Sequence, residues 1–438
     1  MHCHAPHMID TGTRSRARMP FTSAMTSEAR AELDDRLRTI AGWLAVLVPV
    51  GLVAGRVGTE LALIPLCFVF VAHILVAGDF RWLWMRWVQF ILALWFYMLL
   101  RTAMSDATLF NLGEAAATVR YGIFAVALAT WILPDPLWQR RVAISAALSA
   151  GFLAADAILQ FARGTDLFGR PMIGDRLTAT YSFPRVGIML AWLAPLGSLG
   201  LYDRGWHKTA LGIYVLALSA IVLSGERAAF LTITLFTVAI GVILLKSRKT
   251  LLATAIGLVV LVATLLTAFP YVFDRQIKST ADGIVNLDRT HYGIIWERAI
   301  TMAAASPLTG YGYNAYAAAC TDAEFGPQKM TSRRLMSCAN HPHNVYLEFL
   351  VGLGLLGLGL FAAFVVAAGR QIWQARHLFG VVPVFTGLVI LLAIRLFPLN
   401  TSTEFFRAWS AVPFWLHVGW ILALASAPAL SRADKSNT

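Results

Sequence analysis

Charged residues are scarce in this sequence: Asp, Glu, Lys and Arg make up 14% of its 438 residues. A soluble globular domain contains about 25% of these residues. Hydrophobic residues account for 58%, and they form runs of about 16–26 residues without the strict alternation of membrane β-strands. The shortage of charge excludes a water-soluble fold for most of the chain, and the missing alternation favours helices.

The apolar runs predict an all-α, polytopic membrane protein, because a helix satisfies every backbone amide inside lipid. We expect a disordered tail at 1–39, nine helices within 40–269, a large loop with short helices at 270–342, three helices within 344–428 and a second tail at 429–438. The twelve predicted spans are residues 40–57, 59–77, 87–101, 118–133, 141–162, 184–202, 209–224, 228–245, 251–269, 344–368, 380–397 and 409–428.

The short turns on one side of the predicted bundle are basic. Each of them contains at least two Lys or Arg residues: 78–86, 134–141, 203–208, 246–249 and 370–377. The positive-inside rule therefore predicts that both termini and these turns are cytoplasmic, with the large loop outside. This bias accounts for part of the net charge of +12, so the charge does not indicate a nucleic-acid partner, and we expect none.

Arginine is unusually frequent on the predicted external side, against the same rule. The external arginines are Arg163, Arg170, Arg176, Arg185, Arg227, Arg275, Arg289, Arg298, Arg333 and Arg334. The guanidinium fork binds phosphate oxygens in pairs, which makes arginine the preferred side chain for such groups. The cluster suggests an anionic, lipid-linked ligand such as a diphosphate; the alternative is that these arginines are solvated or bind lipid headgroups.

Arg227 lies where two hydrophobic spans meet with almost no loop between them, and charges at such depth are usually functional. The neighbouring Glu226 either pairs with Arg227 or is solvated. Arg176 comes shortly before another span, which Arg185 adjoins.

Within the external loop, residues 288–306 predict an amphipathic helix that Pro307 ends. Ile294, Ile295, Ala299 and Met302 form its apolar stripe. Arg289 lies at the start of this helix and Arg298 lies on it. The turn-rich segment that follows contains Tyr311 and Asn314, which we take as candidate substrate-binding residues.

Two histidines, His341 and His343, precede Asn344 at the start of the tenth predicted span. Histidine can take up a proton near neutral pH, although such a residue at a helix start is more often a cap or an interface residue. Neither Cys nor acidic residues accompany the pair at metal-ligand spacing. We therefore predict no metal site and no cofactor.

The sequence contains only four cysteines, and two of them, Cys320 and Cys338, fall in the external loop. An external loop lies in an oxidising compartment, which favours a disulfide between them. The alternative is two unpaired, buried thiols.

His343-Asn344, followed by nine residues and Gly354-Leu-Leu-Gly357, resembles the His-Asn-x9-Gly-x-x-Gly pattern of O-antigen ligases. These share a superfamily with O-antigen polymerases and bacterial protein O-oligosaccharyltransferases. Ser224-Gly-Glu-Arg227 resembles the family's Ser-x-x-Arg turn, and the run from Arg289 through Trp296 to Gly312 resembles its loop helix and glycine turn. The resemblance extends over roughly 176–357 and implies a GT-C-like membrane glycosyltransferase.

The sequence departs from the family pattern in two places. Ala179 and Arg185 replace the Gly and Asn that usually surround the Arg176 motif. The spacing from Arg289 to Trp296 is longer than is typical, so Arg298 is a substitute candidate for the role of Arg289.

The resemblance implies an undecaprenyl-diphosphate-linked glycan as donor and lipid A–core as acceptor, on the periplasmic face of the bacterial inner membrane, without a nucleotide or a required metal. Arg227 and Arg289 would stabilise the diphosphate leaving group, with Arg176 or Arg185 assisting. His343 would remove the proton of the acceptor hydroxyl, and direct attack would invert the anomeric centre. Asn344 would orient His343 or cap the tenth helix, and the two motif glycines would allow close helix packing.

Three other functions remain open from the sequence. A polymerase would use a second lipid-linked glycan as acceptor, and a protein O-oligosaccharyltransferase would use a protein. A transporter for a lipid-linked anion could also have an arginine-lined cavity, but it should contain ionisable residues deep in several spans. Such residues are sparse here, which favours an enzyme.

Overall fold

The computed structural model describes residues 26–105, 109–320, 338, 341–401 and 404–435. Helices dominate these residues, and among them extended pairing is limited to the isolated bridges Thr165–Pro171 and Ile173–Arg176. The predicted all-α fold is therefore confirmed. In chain order the helices are α1 Ser27–Ala54, α2 Arg56–Ala77, α3 Arg86–Ala103, α4 Leu109–Ala117, α5 Val119–Ala127, α6 Pro136–Arg163, α7 Val186–Tyr202, α8 His207–Leu223, α9 Arg227–Leu244, α10 Arg248–Ala268, α11 Pro270–Phe273, α12 Ser279–Val285, α13 His291–Ala305, α14 Tyr316–Cys320, α15 Val345–Gln374, α16 Pro383–Arg395 and α17 Ala408–Lys435.

In the described part of the chain, 8 helical segments are long and apolar enough to cross a membrane. They are α1, α2, the run Leu109–Ile132, α6, α9, α10, α15 and the first part of α17. The apolar helices α7, α8 and α16 are shorter, and α3 has an arginine at or near each end. The chain is thus a multi-pass membrane protein. Each predicted span overlaps a helix, but the number of twelve crossings remains a prediction.

The first helix begins earlier than the sequence suggested. We expected a disordered tail at 1–39, yet α1 starts at Ser27, and residues 1–25 lie outside the described part. The Thr26 side chain accepts a hydrogen bond from the amide of Ala29, and Arg36 pairs with Glu32 one turn before it. These local bonds extend the helix beyond its apolar portion. The last helix likewise continues through most of the predicted tail 429–438, as far as Lys435.

Small residues allow the central helices to pack closely, as is common between membrane helices. A Cβ atom at Gly197 of α7 would lie 2.5 Å from the backbone nitrogen of Ala147 on α6, and one at Gly200 would lie 2.5 Å from the Cβ of Ala143. These contacts place α6 and α7 side by side. Both glycines lie in the C-terminal half of α7.

The described part of the loop 270–342 packs against α15 of the bundle. Its main helix, α13, begins at His291, where Thr290 caps the amide of Gly293, and ends before Pro307. Ile295, Ala299 and Met302 of the predicted stripe are buried, and they pack in a cluster that includes Val351 of α15. Ile294, the fourth predicted member, is only half-buried.

The structure joins Cys320 to Cys338 in a disulfide, with their Cα atoms 5.5 Å apart. Cys320 ends α14 and is fully buried in the cluster beneath α13. The pairing that we expected therefore fixes the end of α14 to the segment shortly before His341.

Candidate functional site

The turn before α9 forms one half of the site. Ser224 accepts a hydrogen bond from the amide of Leu177 through its carbonyl oxygen, which joins the turn to the segment carrying Arg176. The next residue, Gly225, has a φ of 70°, a value that suits glycine. A Cβ atom there would lie 3.0 Å from the Nε of Arg275. Glycine therefore lets a second arginine approach the turn closely.

Arg275 was predicted only as one of the external arginines and not as a candidate site residue. It lies directly after α11, on the π-helical turn Asp274–Lys278, and its Nε donates to the carbonyl oxygen of Gly225 at 2.8 Å. Burial lowers the pKa of Arg275, and the charges of Arg176 and Arg227 lower it further. Arg176 and Arg227 therefore both lie close enough to repel the charge of Arg275, while Asp175 and Glu226 oppose this fall in its pKa. The available signal was its position shortly after the ninth predicted span, on the side predicted to be external.

Arg176 and Arg227 are both half-buried in this cluster. The Nη1 of Arg227 donates to the carbonyl oxygen of Ser279 at 2.7 Å. The Nε of Arg176 is buried and has no hydrogen-bond partner among the residues that the structure describes. A buried guanidinium N–H without a partner is costly and indicates a place for an acceptor.

Glu226 is neither solvated nor bound to Arg227, the two roles considered from the sequence. Its carboxylate is buried and accepts from the backbone amides of Gly187 at 2.8 Å and Ile188 at 3.3 Å. Burial raises the pKa of Glu226, while these hydrogen bonds and the charge of Arg176 oppose the rise. Glu226 therefore caps the N-terminus of α7 from a separate turn. The positive end of the helix dipole lies at this N-terminus and favours a negative group.

Helix α12 connects the arginine cluster to the histidines. A Cβ atom at Gly283 would lie 3.7 Å from the Nη1 of Arg227 and also 3.7 Å from the Cγ2 of Thr290. Thr290 directly precedes His291, the first residue of α13. The start of α13 and the guanidinium of Arg227 are therefore neighbours across α12.

His343 lies among aromatic rings at the start of α15. Its ring centroid is 4.0 Å from that of His341, 5.5 Å from that of Tyr292 and 6.1 Å from that of His291. The backbone φ of His343 is 53°, in the left-handed region that L-residues rarely adopt and that often marks functional positions. Partial burial lowers the pKa of His291.

Asn344 caps the helix that follows His343. Its Oδ1 accepts from the amides of Tyr346 at 3.0 Å and Leu347 at 3.2 Å, and its Nδ2 donates to the carbonyl oxygen of Pro398 at 2.7 Å. Asn344 was expected either to orient His343 or to cap the helix, and the structure shows the helix cap. By holding both α15 and the segment after α16, Asn344 fixes the point from which His343 projects.

Gly354 of the His-Asn-x9-Gly-x-x-Gly pattern breaks helix α15. Its φ of 61° and ψ of −165° are not helical, and they lie in a region that is essentially restricted to glycine. A Cβ atom there would overlap the carbonyl group of Leu308 in the loop. Gly354 therefore allows close packing, as expected, but it packs against the loop turn and interrupts the helix.

Residues 212–362 match the O-antigen ligase family model. The match covers about a third of the 438 residues and confirms the resemblance that the motifs indicated. It supports, at a coarse level, an enzyme of the ligase and polymerase type. No protein in a curated sequence set matches the chain.

The residues that match the O-antigen ligase family include Arg227, Arg275 and His343. The match begins at residue 212, so Arg176 and Arg185 lie before it. The guanidinium of Arg185 stacks 4.0 Å from the ring centroid of Trp409. Its pKa is lowered by burial, while the charges of Glu404 and Glu226 oppose the shift.

The other sequence candidates have different surroundings. Arg298 lies near Tyr316, where its positive charge opposes the rise that burial causes in the pKa of this tyrosine. Only the backbone of Arg289, in the 3-10 turn Leu287–Arg289, is described. Asn314 and His341 line a cavity of about 30 Å³ that Glu404 also borders.

The backbone of Tyr311 bonds to α15, since its amide donates to Val351. Among the described residues, no group of three or more His, Cys, Asp or Glu side chains is placed to hold a metal ion.

Proposed function

We propose that this protein transfers an O-antigen glycan from undecaprenyl diphosphate to a sugar hydroxyl of lipid A–core. The observation that carries the proposal is the convergence of Arg176, Arg227 and Arg275 near the start of α13, where the ring of His291 lies 6.1 Å from that of His343. A cluster of cations and a potential proton acceptor are the two parts that this reaction needs. The family match supports the same class of enzyme.

The arginine cluster would bind the diphosphate of the donor. Arg275 has a lowered pKa partly because Arg176 and Arg227 are near, so an anion would relieve repulsion among the three. The unpartnered Nε of Arg176 offers a further donor. When the bond from the anomeric carbon to the diphosphate oxygen breaks, negative charge grows on that oxygen. Fixed guanidinium groups stabilise such charge because they need no reorganisation during the reaction.

His343 would act as the general base. The acceptor hydroxyl oxygen forms the new bond to the anomeric carbon, and its proton passes to His343 while the diphosphate leaves. Attack on the face opposite the leaving group inverts the anomeric centre. His341, Tyr292 and His291 surround the ring of His343, and the cap by Asn344 fixes its backbone. Proton transfer by a positioned side chain contributes about 10²–10⁴-fold to the rate.

The proposed location is the periplasmic face of the bacterial inner membrane. The basic turns lie at the opposite ends of the helices from the arginine cluster, which agrees with the positive-inside rule. The disulfide between Cys320 and Cys338 in the loop above the cluster also favours an oxidising compartment.

The test is glycan transfer by purified protein in lipid nanodiscs, with undecaprenyl-diphosphate-linked glycan as donor. Wild-type protein should extend lipid A–core, and His343→Ala should reduce the rate by about 10²–10⁴-fold. His207→Ala is the matched control, because His207 begins α8 at the other end of the bundle. Full transfer by folded His343→Ala would contradict the mechanism.

A second arm of the experiment separates the acceptors. Donor alone should give no lengthened glycan; chain growth without lipid A–core would identify a polymerase. Transfer to an added protein acceptor would identify a protein O-oligosaccharyltransferase.

A further inference from the structure

Helix α15 is interrupted at Gly354, about two and a half turns after it begins at Val345, and its freed backbone groups bond to the loop turn 307–312. In a continuous helix the amides of Leu355 and Leu356 would bond to the carbonyls four residues earlier. Here the amide of Leu355 donates to Pro307 at 2.8 Å and that of Leu356 donates to Leu308 at 3.2 Å. The break at Gly354 thus divides α15 into a short outer half, 345–353, and a long inner half.

The carbonyl groups released by the break also find partners outside the helix. Val351 accepts from the amide of Tyr311 at 2.9 Å, and Gly352 accepts from the amide of Gly312 at 2.7 Å. Leu353 accepts from the hydroxyl of Tyr97, on α3, at 3.1 Å. Irregular backbone at membrane depth persists only where other groups satisfy it. The loop turn 307–312 and α3 supply those groups here.

A single arginine on α3 holds this loop turn in place. The Nε of Arg101 donates to the carbonyl oxygens of Gly310 at 3.0 Å and Thr309 at 3.2 Å, and its Nη2 donates to Gly310 at 2.5 Å. One turn earlier, Tyr97 reaches the break itself. The adjacent Thr102 accepts from the amide of Tyr313 at 3.0 Å. Helix α3 therefore holds the outer half of α15 through the loop turn. The helical hydrogen bonds that would join the outer half to the inner half are missing at the break.

We propose that Arg101 and Tyr97 are positioning residues for His343: by holding the loop turn and the helix break, they fix the direction of the half-helix that His343 precedes. The proposal rests on the proposed function for its catalytic consequence only. Arg101 and Tyr97 act through backbone carbonyls and are given no contact with substrate. The arginine cluster sits on other elements, at the turn before α9 and after α10, so donor binding should not depend on them.

The decisive variants are Arg101→Gln and Tyr97→Phe. Displacement of a catalytic group by about 1 Å can lower a rate by about 10²-fold. We therefore expect Arg101→Gln to lower kcat by about 10–100-fold, while the KM for the lipid-linked donor stays within about twofold. Arg101→Lys should recover part of kcat, because an ammonium can reach one carbonyl but cannot bridge two as the fork does. Tyr97→Phe removes one hydroxyl and should cause a smaller loss.

Two substitutions serve as matched controls: Arg86→Gln removes an exposed arginine at the other end of α3, and Tyr202→Phe removes an exposed tyrosine hydroxyl at the end of α7. Both should leave kcat unchanged. A purely structural role for Arg101 would lower the yield of folded protein without changing kcat per folded molecule. Unchanged kcat in folded Arg101→Gln, or a KM that rises in its place, would overturn the positioning role.

Hydrogen exchange tests the same clamp without any reaction. In Arg101→Gln, peptides that cover 306–313 and 350–356 should exchange faster than in wild type, whereas a peptide from the middle of α6 should not. Tyr97→Phe should speed exchange at 350–356, and it provides the test if Arg101→Gln does not fold. Unchanged exchange in either variant would refute the clamp, even if the proposed glycan transfer is established. Faster exchange in a protein that transfers no glycan would preserve the clamp and contradict only the proposed function.

Discussion

The Nε of Arg275 lies 2.8 Å from the carbonyl oxygen of Gly225, two residues before Arg227. This hydrogen bond brings together two segments that are 50 residues apart in the sequence. It places a third guanidinium beside Arg176 and Arg227, and it holds the turn that carries one of them. In the proposed function Arg275 is both a charge partner of the donor and a brace for the turn, and substitution separates the two roles.

Arg275→Gln should weaken binding of the lipid-linked donor. A hydrogen bond that involves a charged group contributes about 1.5–3 kcal/mol, which corresponds to roughly a tenfold or larger rise in the KM for the donor. Arg275→Lys should rescue part of the loss and should make KM more sensitive to salt, because a lysine lacks the guanidinium fork. Lys278→Gln is the control, since Lys278 is exposed and pairs with Asp274 on the same turn. Equal KM values for wild type and Arg275→Gln would remove Arg275 from the donor site.

Glu226 should make the stability of the protein depend on pH. Its pKa is raised above the ordinary value of 4.5 because it is buried. The folded state then binds the proton more tightly than the unfolded state, so the stability from this group is fully present below the unfolded pKa. That stability is lost as pH rises through the folded pKa. Glu226→Gln cannot ionise, and its Tm should fall less than that of wild type over this window.

The measurement is Tm in nanodiscs across a pH series, with the exposed Glu297→Gln as control. The control should follow the wild-type curve. If Glu226→Gln follows it as well, the carboxyl of Glu226 does not titrate differently in the folded state. A loss of Tm at every pH would indicate instead that the amide fails to cap α7.

The sequence was sufficient for features that depend on neighbours along the chain. The apolar runs located the long helices, Pro307 ended α13 after Ala305, and the cap at Asn344 was one of the two roles expected for that residue. Features that depend on distant segments were missed. The contact of Arg275 with Gly225 and the bonds of Arg101 to Gly310 join residues separated by 50 and 209 positions. No local pattern encodes such pairs.

The role of Gly354 in the His-Asn-x9-Gly-x-x-Gly pattern also depends on a distant segment. The spacing of Gly354 and Gly357 indicated close packing, which a straight helix also uses, and nothing in the spacing distinguishes a packed helix from a broken one. The difference lies in the turn 307–312, whose amides and carbonyls replace those of the helix. A helix break in the membrane is acceptable only with such a partner, and that partner is about 45 residues away in the sequence.

Removal of the disulfide should destabilise the external loop. Cys320 and Cys338 are separated by 18 residues, and closing a loop of that size contributes about 3 kcal/mol through the entropy of the unfolded chain. The double variant Cys320→Ser/Cys338→Ser should unfold at a lower temperature than wild type and should become insensitive to added reductant. Cys67→Ser is the control, because Cys67 is a free, buried cysteine in α2. Detection of unmodified thiols at both Cys320 and Cys338 in non-reduced protein would exclude the bridge.

Gly354→Ala adds a single methyl group, and we expect it to be the most damaging such substitution in the His-Asn-x9-Gly-x-x-Gly pattern. Alanine at φ 61° and ψ −165° is strained by about 1–3 kcal/mol, and its Cβ would also overlap the carbonyl of Leu308. The variant can avoid both costs only by moving the loop turn away from α15 or by closing the helix. Either change would move the half-helix that follows His343, so kcat should fall with little change in the KM for the donor. Gly359→Ala is the matched control, because a Cβ atom there meets nothing within 4 Å. If Gly354→Ala keeps wild-type kcat and wild-type exchange at 350–356, the break is not required for activity and the account of how His343 is positioned fails.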